Sequence, residues 1–275
     1  MSMNKYVAAA AVGIAGVGVM RKAGEVKRQN SPFRRYWERH LQATLADLDE
    51  RAAAGQELPL VYVALGDSAA QGLGATEIEE GYVPRVAQAL AQGSGREVAL
   101  LNLSLSGGMV QSVLGTQLPQ LAGLRIGGKP IIPDVVTLDI GGNDVRQPWL
   151  TEDIFARDYA RLVDELPAGT FVMNVPSYGK LPEEEKAAAF CATVDRHVAG
   201  SHHHLVDIGN YSRNLPWRTY TFDYHASDLF HPNSAWYEVW AQQFVNQICA
   251  VHGWPQIAVA ELEAWSGPIA EVVFT

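Results

Sequence analysis

Leu60-Val-Tyr-Val-Ala-Leu-Gly66-Asp67-Ser68 joins an unbroken apolar run to a glycine and two polar residues. A short strand without polar positions is typical of a parallel sheet whose two faces are both covered by helices. Ser68 would then lie on the first turn after a strand, at the edge where open α/β sheets bind ligands. The alternative is a simple capped turn, because aspartate and serine are both good helix caps.

Beyond this stretch, short apolar runs alternate with longer amphipathic segments. Strands are predicted at 60–65, 98–105, 135–140, 170–175 and 205–208, and helices at 82–90, 109–121, 151–166, 182–198 and 234–251. This alternation predicts βαβ units around a central parallel five-stranded sheet. Loops that follow parallel strands open at one edge, so we expect Ser68, Gly107, Asn143, Asp228 and His231 to meet there.

These five residues form a pattern that suits nucleophilic catalysis by a serine. A serine hydroxyl is a weak nucleophile at neutral pH, so it needs a base within hydrogen-bond reach and a group that orients the base. His231 is the candidate base, and Asp228 lies three residues earlier, where it can reach the other ring nitrogen. The candidate oxyanion-hole donors are the Asn143 side chain and the backbone N–H groups of Gly107 and Ser68.

Four sequence blocks, in this order, resemble those of the SGNH, or GDSL-type, hydrolases. They are Gly66-Asp67-Ser68, Asn102-Leu-Ser-Leu-Ser-Gly107, Gly141-Gly-Asn143-Asp144 and Asp228-Leu-Phe-His231-Pro232, and the resemblance covers residues 58–252. It implies a flavodoxin-like three-layer α/β/α fold, esterase or lipase activity on a small-molecule or lipid ester, and a serine mechanism without metal or cofactor. Ala69 departs from the family, which often has leucine there, but this side chain has no part in the expected chemistry.

Other residues near the expected site receive supporting roles. Asp67 and Asp144 each adjoin a candidate catalytic residue, and we expect them to support the loops by accepting backbone N–H bonds. Gly72 and Gly74 keep the loop after Ser68 free of bulk and allow close backbone approach. The expected arrangement therefore places loop-stabilising carboxylates and small residues around the nucleophile.

Several conspicuous side chains are not expected to take part in the chemistry. His225 is interpreted as an exposed loop histidine rather than a pocket residue. Trp236 and Trp240 are four apart on a helix, a spacing that favours the core over an acyl pocket. His202-His-His204 is not expected to bind a metal, because successive side chains of a strand point to opposite faces.

The N-terminal segment 1–22 contains an uncharged run, Tyr6 to Met20, followed by basic residues. The run is shorter than the roughly twenty residues that span a bilayer. It is consistent with a membrane anchor, which we favour, with a cleaved signal or with a soluble helix. Residues 23–57 are predicted to be an amphipathic helical linker that lies on a membrane surface or packs on the domain.

Composition also bears on the expected partners and on disulfide bonding. The 275 residues carry a net charge of -9, which gives no electrostatic reason to expect a nucleic-acid partner. Cys191 and Cys249 are too few for a disulfide framework and are expected to be buried free thiols. The tail 253–275 is expected to pack back on the domain. Nothing in the sequence indicates an oligomeric state.

Two other functions compete with ester hydrolysis. A metal-dependent phosphoesterase would use Gly66-Asp67 and Gly142-Asn143-Asp144 as metal-binding loops. The first strand lacks the Asp-x-His pair that such a site would need. A catalytically silent, membrane-associated binding module is the second alternative, and the complete set of candidate catalytic residues speaks against it.

Overall fold

The structure is a computed structural model that describes residues 3–269 and 273, with side chains from residue 24 onward. The side chains of the apolar run 6–20 therefore lie outside the described residues, and its role as an anchor or signal stays a prediction. Within the described part, no helix is both long and apolar enough to cross a membrane.

A parallel sheet of five strands forms the centre of the molecule. The strands are β1 (Leu60–Gly66), β2 (Val98–Asn102), β5 (Val135–Asp139), β6 (Phe171–Met173) and β7 (His204–Val206), in the spatial order β2-β1-β5-β6-β7. A separate two-stranded hairpin, which the sequence did not predict, contains β3 (Arg125–Ile126) and β4 (Lys129–Pro130). The main sheet has the flavodoxin-like strand order, so the predicted fold class is confirmed.

Helices cover both faces of the sheet. The described helices are α1 (Met3–Ala53), α2 (Tyr82–Ser94), α3 (Val110–Ser112), α4 (Leu118–Gly123), α5 (Gly142–Val145), α6 (Glu152–Glu165), α7 (Glu184–Ala199), α8 (Ile208–Arg213) and α9 (Ser234–His252). Short 3₁₀ turns occur at Ile78–Glu80 and Val259–Glu261, and π-helical turns at Val113–Gln117 and Thr219–Asp223. Helices α2 and α9 pack in one hydrophobic core, and α6 and α7 pack in the other, across the sheet.

Residues 24–53 of α1 are part of the domain rather than a separate linker. Phe33 and Tyr36 are buried in the same core as α2 and α9. Trp37 Nε1 donates to the carbonyl of Gln71 (3.0 Å), and Gln29 accepts a hydrogen bond from the backbone N–H of Gly74 (2.9 Å). Of the two placements that the sequence allowed for this segment, the structure has the one on the domain, and α1 supports the loop after Ser68.

The predicted elements differ from the structure in two instructive places. Strand β2 ends at Asn102 instead of Leu105, because the Asn102 side chain accepts from the Ser104 backbone N–H (3.1 Å) and turns the chain. The helix predicted at 109–121 contains the π-helical turn Val113–Gln117. Hydrophobic periodicity assumes a regular helix and does not report such a turn.

The described C-terminal segment packs against α1 and the first core. Ile257, Val259 and Trp265 are buried, and the Trp265 ring stacks on that of Trp37 with 6.3 Å between centroids. Cys191 and Cys249 are both free and buried, as predicted.

Candidate functional site

Ser68 lies directly beyond β1, and two side contacts fix the end of that strand. Gly66 has φ = 150°, and a Cβ atom there would lie 2.5 Å from the carbonyl oxygen of Asp139 on β5. The buried Gln117 amide accepts from Gly66 N–H (2.9 Å) and donates to its carbonyl (2.7 Å). Glycine is therefore required at position 66, and the π-helical turn supplies the side chain that holds it.

His231 reaches Ser68 from a loop on the opposite side of the site. Its Nε2 atom lies 3.0 Å from Ser68 Oγ. The loop comes so close to Gly74 that a Cβ atom there would lie 2.3 Å from the carbonyl oxygen of Pro232. The close approach of these two backbone segments is what brings the imidazole to the hydroxyl.

Asp228 contacts the other ring nitrogen of His231. The Nδ1–Oδ2 distance is 2.6 Å, and Asp228 Oδ1 accepts from the backbone N–H groups of Phe230 and His231, each at 3.0 Å. Leu229 has φ = 56°, the left-handed conformation that this tight turn requires. Burial alone would raise the pKa of Asp228, but the hydrogen bonds and the charge of His231 hold it below its ordinary value.

The candidate oxyanion-hole donors lie on three different loops. Among the described residues, the backbone N–H groups of Ser68 and Gly107 have no hydrogen-bond acceptor. The Asn143 side chain differs from expectation, because its Nδ2 already donates to Asp67 Oδ2 (2.9 Å) and to the Gly108 carbonyl (3.0 Å). Within the described structure, the Ser68 and Gly107 N–H groups are therefore available to an oxyanion, whereas the Asn143 amide is already hydrogen-bonded.

Asp67 and Asp144 both accept backbone N–H bonds. Asp67 Oδ1 accepts from Ala69 (2.9 Å), and both oxygens of Asp144 lie 3.3 Å from the Val110 nitrogen at the start of α3. Burial raises the pKa of Asp67, although the Ala69 N–H opposes the shift. Burial raises the pKa of Asp144 to about 7. Each carboxyl ties the loop of one candidate catalytic residue to the adjoining backbone.

A cavity of about 200 Å³, here called the Ser68 cavity, opens beside the nucleophile. Its lining residues come from the ends of β1 and β5, the loop before α7, the π-helical turn Thr219–Asp223, the His231 loop (residues 225–232) and α9. They include Asp67, Ser68, Asp139, Pro176, Tyr178, Leu181, Tyr220, His225, Leu229, Phe230, His231, Trp236 and Trp240. Leu181 and Leu229 are about half exposed, whereas Asp139 and Trp240 are buried. The cavity therefore runs from an apolar mouth to a buried end.

Two expectations about this region need correction. His225 is not an exposed loop residue: it is half-buried, lines the Ser68 cavity, and donates from Nδ1 to the Tyr220 carbonyl (2.6 Å). Trp236 and Trp240 are buried in the core as predicted, yet they also form part of the cavity wall. A wide aromatic side chain can fill a core on one side and border a cavity on the other.

The sequence did not reveal the network that shapes the cavity wall. Glu184 accepts hydrogen bonds from the Ser177 hydroxyl (3.0 Å) and the Tyr178 backbone N–H, and it forms an ion pair with Arg213 at 3.0 Å. The Tyr178 hydroxyl donates to the carbonyl of Gly142. These residues come from three distant segments, so no local pattern indicates them. Asp139 was also missed, although an aspartate in the apolar run 135–140 is a visible signal.

The histidine tract has a structural environment. His203 Nε2 donates to the Val163 carbonyl (2.9 Å), and the His204 ring contacts the Phe171 ring in a tilted arrangement with 4.9 Å between centroids. Within the described part of the chain, no group of three or more His, Cys, Asp or Glu side chains is placed to hold a metal ion.

Known proteins resemble this chain at both the sequence and the structural level. The model of the GDSL-like lipase/acylhydrolase family matches residues 64–239. A lipase from a goat rumen metagenome is 21% identical, with a TM-score of 0.51 over 67% of this chain and 95% of its own. A lipase/acylhydrolase from Enterococcus faecalis is 17% identical, with a TM-score of 0.54 over 72% and 98%. An acetylxylan esterase from Geobacillus stearothermophilus is 19% identical, with a TM-score of 0.53 over 69% and 94%.

At these identities the structural likeness establishes the fold, and no curated protein matches the sequence. The family model carries the assignment, because it covers well over half of the chain and includes the segments of Ser68, Gly107, Asn143 and His231. The chain thus belongs to the GDSL-like lipase/acylhydrolase family of SGNH ester hydrolases.

Proposed function

We propose that the protein hydrolyses carboxylic esters through an acyl-enzyme formed on Ser68. The observation that carries this proposal is the continuous contact from Ser68 Oγ to His231 Nε2 (3.0 Å) and from His231 Nδ1 to Asp228 Oδ2 (2.6 Å). A nucleophile, a base and a group that orients the base are the parts that serine catalysis requires.

In the first half-reaction, Ser68 Oγ attacks the carbonyl carbon of the ester while its proton passes to His231 Nε2. The lowered pKa of Asp228 keeps that carboxylate ionised, so it stabilises the imidazolium. The tetrahedral intermediate collapses, the carbon–oxygen bond to the alcohol breaks, and His231 returns the proton to the leaving oxygen. Water then repeats the sequence on the acyl-enzyme and releases the acid.

The developing oxyanion is stabilised by N–H donors. The backbone N–H groups of Ser68 and Gly107 lack acceptors among the described residues and are available for it. Asn143 takes part by exchanging its bond to the Gly108 carbonyl for one to the oxyanion, while Asp67 keeps its bond and holds the amide in orientation. One oxyanion-hole donor is typically worth about 2.7–4 kcal/mol in the transition state.

The Ser68 cavity, about 200 Å³ in volume, has distinct places for the two parts of an ester. The buried end suits the acyl part, since the alcohol must leave through the mouth while the acyl group is still bound to Ser68. The half-exposed Leu181 and Leu229 then border the alcohol part.

Hydrolysis of p-nitrophenyl acetate and butyrate tests the proposal. We expect turnover by the wild type and a loss of about 10⁶-fold in kcat for Ser68→Ala, with an unchanged circular dichroism spectrum. Activity should persist after treatment with a chelator, whereas a metal-dependent phosphoesterase would lose it. Failure to hydrolyse any ester, or retention of activity by Ser68→Ala, would contradict the proposed function.

A further inference from the structure

Two buried side chains that line the Ser68 cavity, Asp139 and Trp240, each have a polar atom without a partner among the described residues. Asp139, at the end of β5, is 6% exposed, and its Oδ2 atom has no hydrogen-bond partner within the described chain. Trp240 on α9 is 3% exposed, and its Nε1 is likewise without an acceptor among the described residues. Both residues line the cavity that contains Ser68. An acceptor and a donor therefore border one small space.

Such unsatisfied groups are unusual. A buried polar atom without a partner is destabilising, and most native examples have a functional or solvent explanation. Among the described residues, Tyr159 also has a buried hydroxyl without a partner, but it belongs to the core on the other face of the sheet and does not line the cavity. Asp139 and Trp240 differ from it in that both residues line the Ser68 cavity.

The protonation state of Asp139 indicates which hydrogen-bonding groups a molecule bound in this cavity needs. Burial raises the pKa of this carboxyl well above its ordinary value, and the charge of Asp67 raises it further. This shift favours the protonated form, a neutral carboxylic acid, which both donates and accepts a hydrogen bond. The indole N–H of Trp240 only donates. A neutral ligand group that accepts one hydrogen bond and donates another satisfies this pair.

We propose that Asp139 and Trp240 form a subsite for a hydroxyl group on the acyl part of the substrate. The hydroxyl oxygen accepts from Trp240 Nε1, and its hydrogen is donated to the Asp139 carboxyl. The inference rests on the proposed function, because the acyl carbonyl must lie at Ser68 for its chain to extend towards the buried end. A plain alkyl chain would leave both groups unpaired, so the site selects against it.

Matched esters test this subsite. The p-nitrophenyl esters of 3-hydroxybutyric and 6-hydroxyhexanoic acid are compared with those of 3-methylbutyric and heptanoic acid, in which a methyl group replaces the hydroxyl. For the wild type, at least one hydroxyl ester should exceed its methyl counterpart in kcat/KM by about tenfold or more. An equal or lower value for both hydroxyl esters would overturn the proposal. A preference for aminoacyl esters over hydroxyl esters would overturn it as well, because it would require an ionised Asp139.

Variants assign the preference to the two residues. Asp139→Leu should abolish it, and Trp240→Phe, which keeps the aromatic ring, should reduce it at least threefold. Asp139→Asn keeps both a donor and an acceptor and should retain most of it, which guards against a loss of folding in the leucine variant. Tyr159→Phe is the matched control and should leave the ratio unchanged. A preference that survives both Asp139→Leu and Trp240→Phe would refute the assignment.

The same assay distinguishes failure of the hydroxyl subsite from failure of ester hydrolysis by Ser68. Turnover of the methyl esters without a hydroxyl preference would overturn the subsite alone and leave ester hydrolysis by Ser68 in place. No turnover of any of these esters, together with no reaction of Ser68 with a fluorophosphonate, would overturn the proposed function and the subsite with it.

Discussion

Ser68 lies between one carboxyl in the His231 loop and three carboxyls in a contrasting, more buried environment. On one side, in the His231 loop (residues 225–232), Asp228 accepts two backbone N–H bonds and contacts the imidazole, and its pKa is lowered. On the other side, the strand-end carboxyls (Asp67, Asp139 and Asp144) are buried, and their pKa values are raised. Donated hydrogen bonds outweigh burial in the first region, and burial outweighs them in the second.

The contrast explains why one carboxyl suits catalysis and the others suit structure or recognition. An imidazolium is stabilised by a carboxylate that remains ionised throughout the reaction, and among the described carboxyls Asp228 is the one in contact with His231. A protonated carboxyl, the form that burial favours at Asp139, cannot stabilise a cation in that way, but it can hydrogen-bond to a neutral group. The same residue type would thus have opposite uses on the two sides of one hydroxyl under the proposed function.

The largest expected effects come from the His231 loop. We expect His231→Ala to lower kcat about 10⁶-fold and Asp228→Asn to lower it about 10⁴-fold, since the second variant keeps the base but loses its orientation and charge partner. Discontinuous assays with p-nitrophenyl butyrate, stopped after long incubation, measure kcat of both variants. Asp223→Asn, at an exposed position shortly before the loop, is the control and should be near wild type. An Asp228→Asn variant with full activity would show that the Asp228 carboxylate has no special catalytic role compared with the buried carboxyls.

A smaller effect is expected where the loop after Ser68 meets the His231 loop. Gly74→Ala should lower kcat about 10²-fold, because its Cβ would lie 2.3 Å from the Pro232 carbonyl and displace His231. Gly72→Ala is a matched control: Gly72 also has positive φ, but its Cβ would meet no atom closer than 3.6 Å. Both variants carry backbone strain, so equal losses of kcat would show that the close approach does not position the imidazole.

The smallest effect on activity, and a distinct effect on stability, is expected at Asp144. Its pKa is 3.8 in an unperturbed chain and about 7 in the fold, so between these values the folded state holds a proton that the unfolded state has lost. The free energy of unfolding therefore falls as pH rises through this window. Asp144→Asn keeps an acceptor for Val110 N–H and removes this dependence.

Thermal unfolding at pH 5 and pH 8 measures the difference. The Tm of Asp144→Asn relative to wild type should rise by several degrees between the two pH values. Asp164→Asn, at an exposed position on α6, should show no such change. A constant difference in Tm would mean that Asp144 is ionised in the fold and belongs with Asp228.

The sequence allowed the sheet and the meeting of four loops to be predicted for a simple reason. Buried parallel strands are continuous apolar runs, and their carboxyl ends share one edge, so Ser68, Gly107, Asn143 and His231 could be placed together without knowledge of packing. Predicting the placement of α1 was harder, because an amphipathic face does not indicate whether it covers a sheet or a membrane.

Features that depend on packing between distant segments could not be predicted from the sequence. Gln117, the last residue of a π-helical turn, hydrogen-bonds to Gly66, which lies 51 positions earlier at the end of β1. Glu184 shapes the cavity wall through partners on other elements. The raised pKa of Asp139 depends on the residues that exclude water from it, and these come from across the fold.

Covalent labelling tests the central claim, that His231 and Asp228 activate Ser68, most directly. The protein is incubated with a fluorophosphonate, digested, and analysed by mass spectrometry. We predict one phosphonylated residue, Ser68, with labelling abolished in Ser68→Ala and slowed by orders of magnitude in His231→Ala. Labelling at a different serine, or labelling of Ser68 at an unchanged rate without His231, would contradict the account.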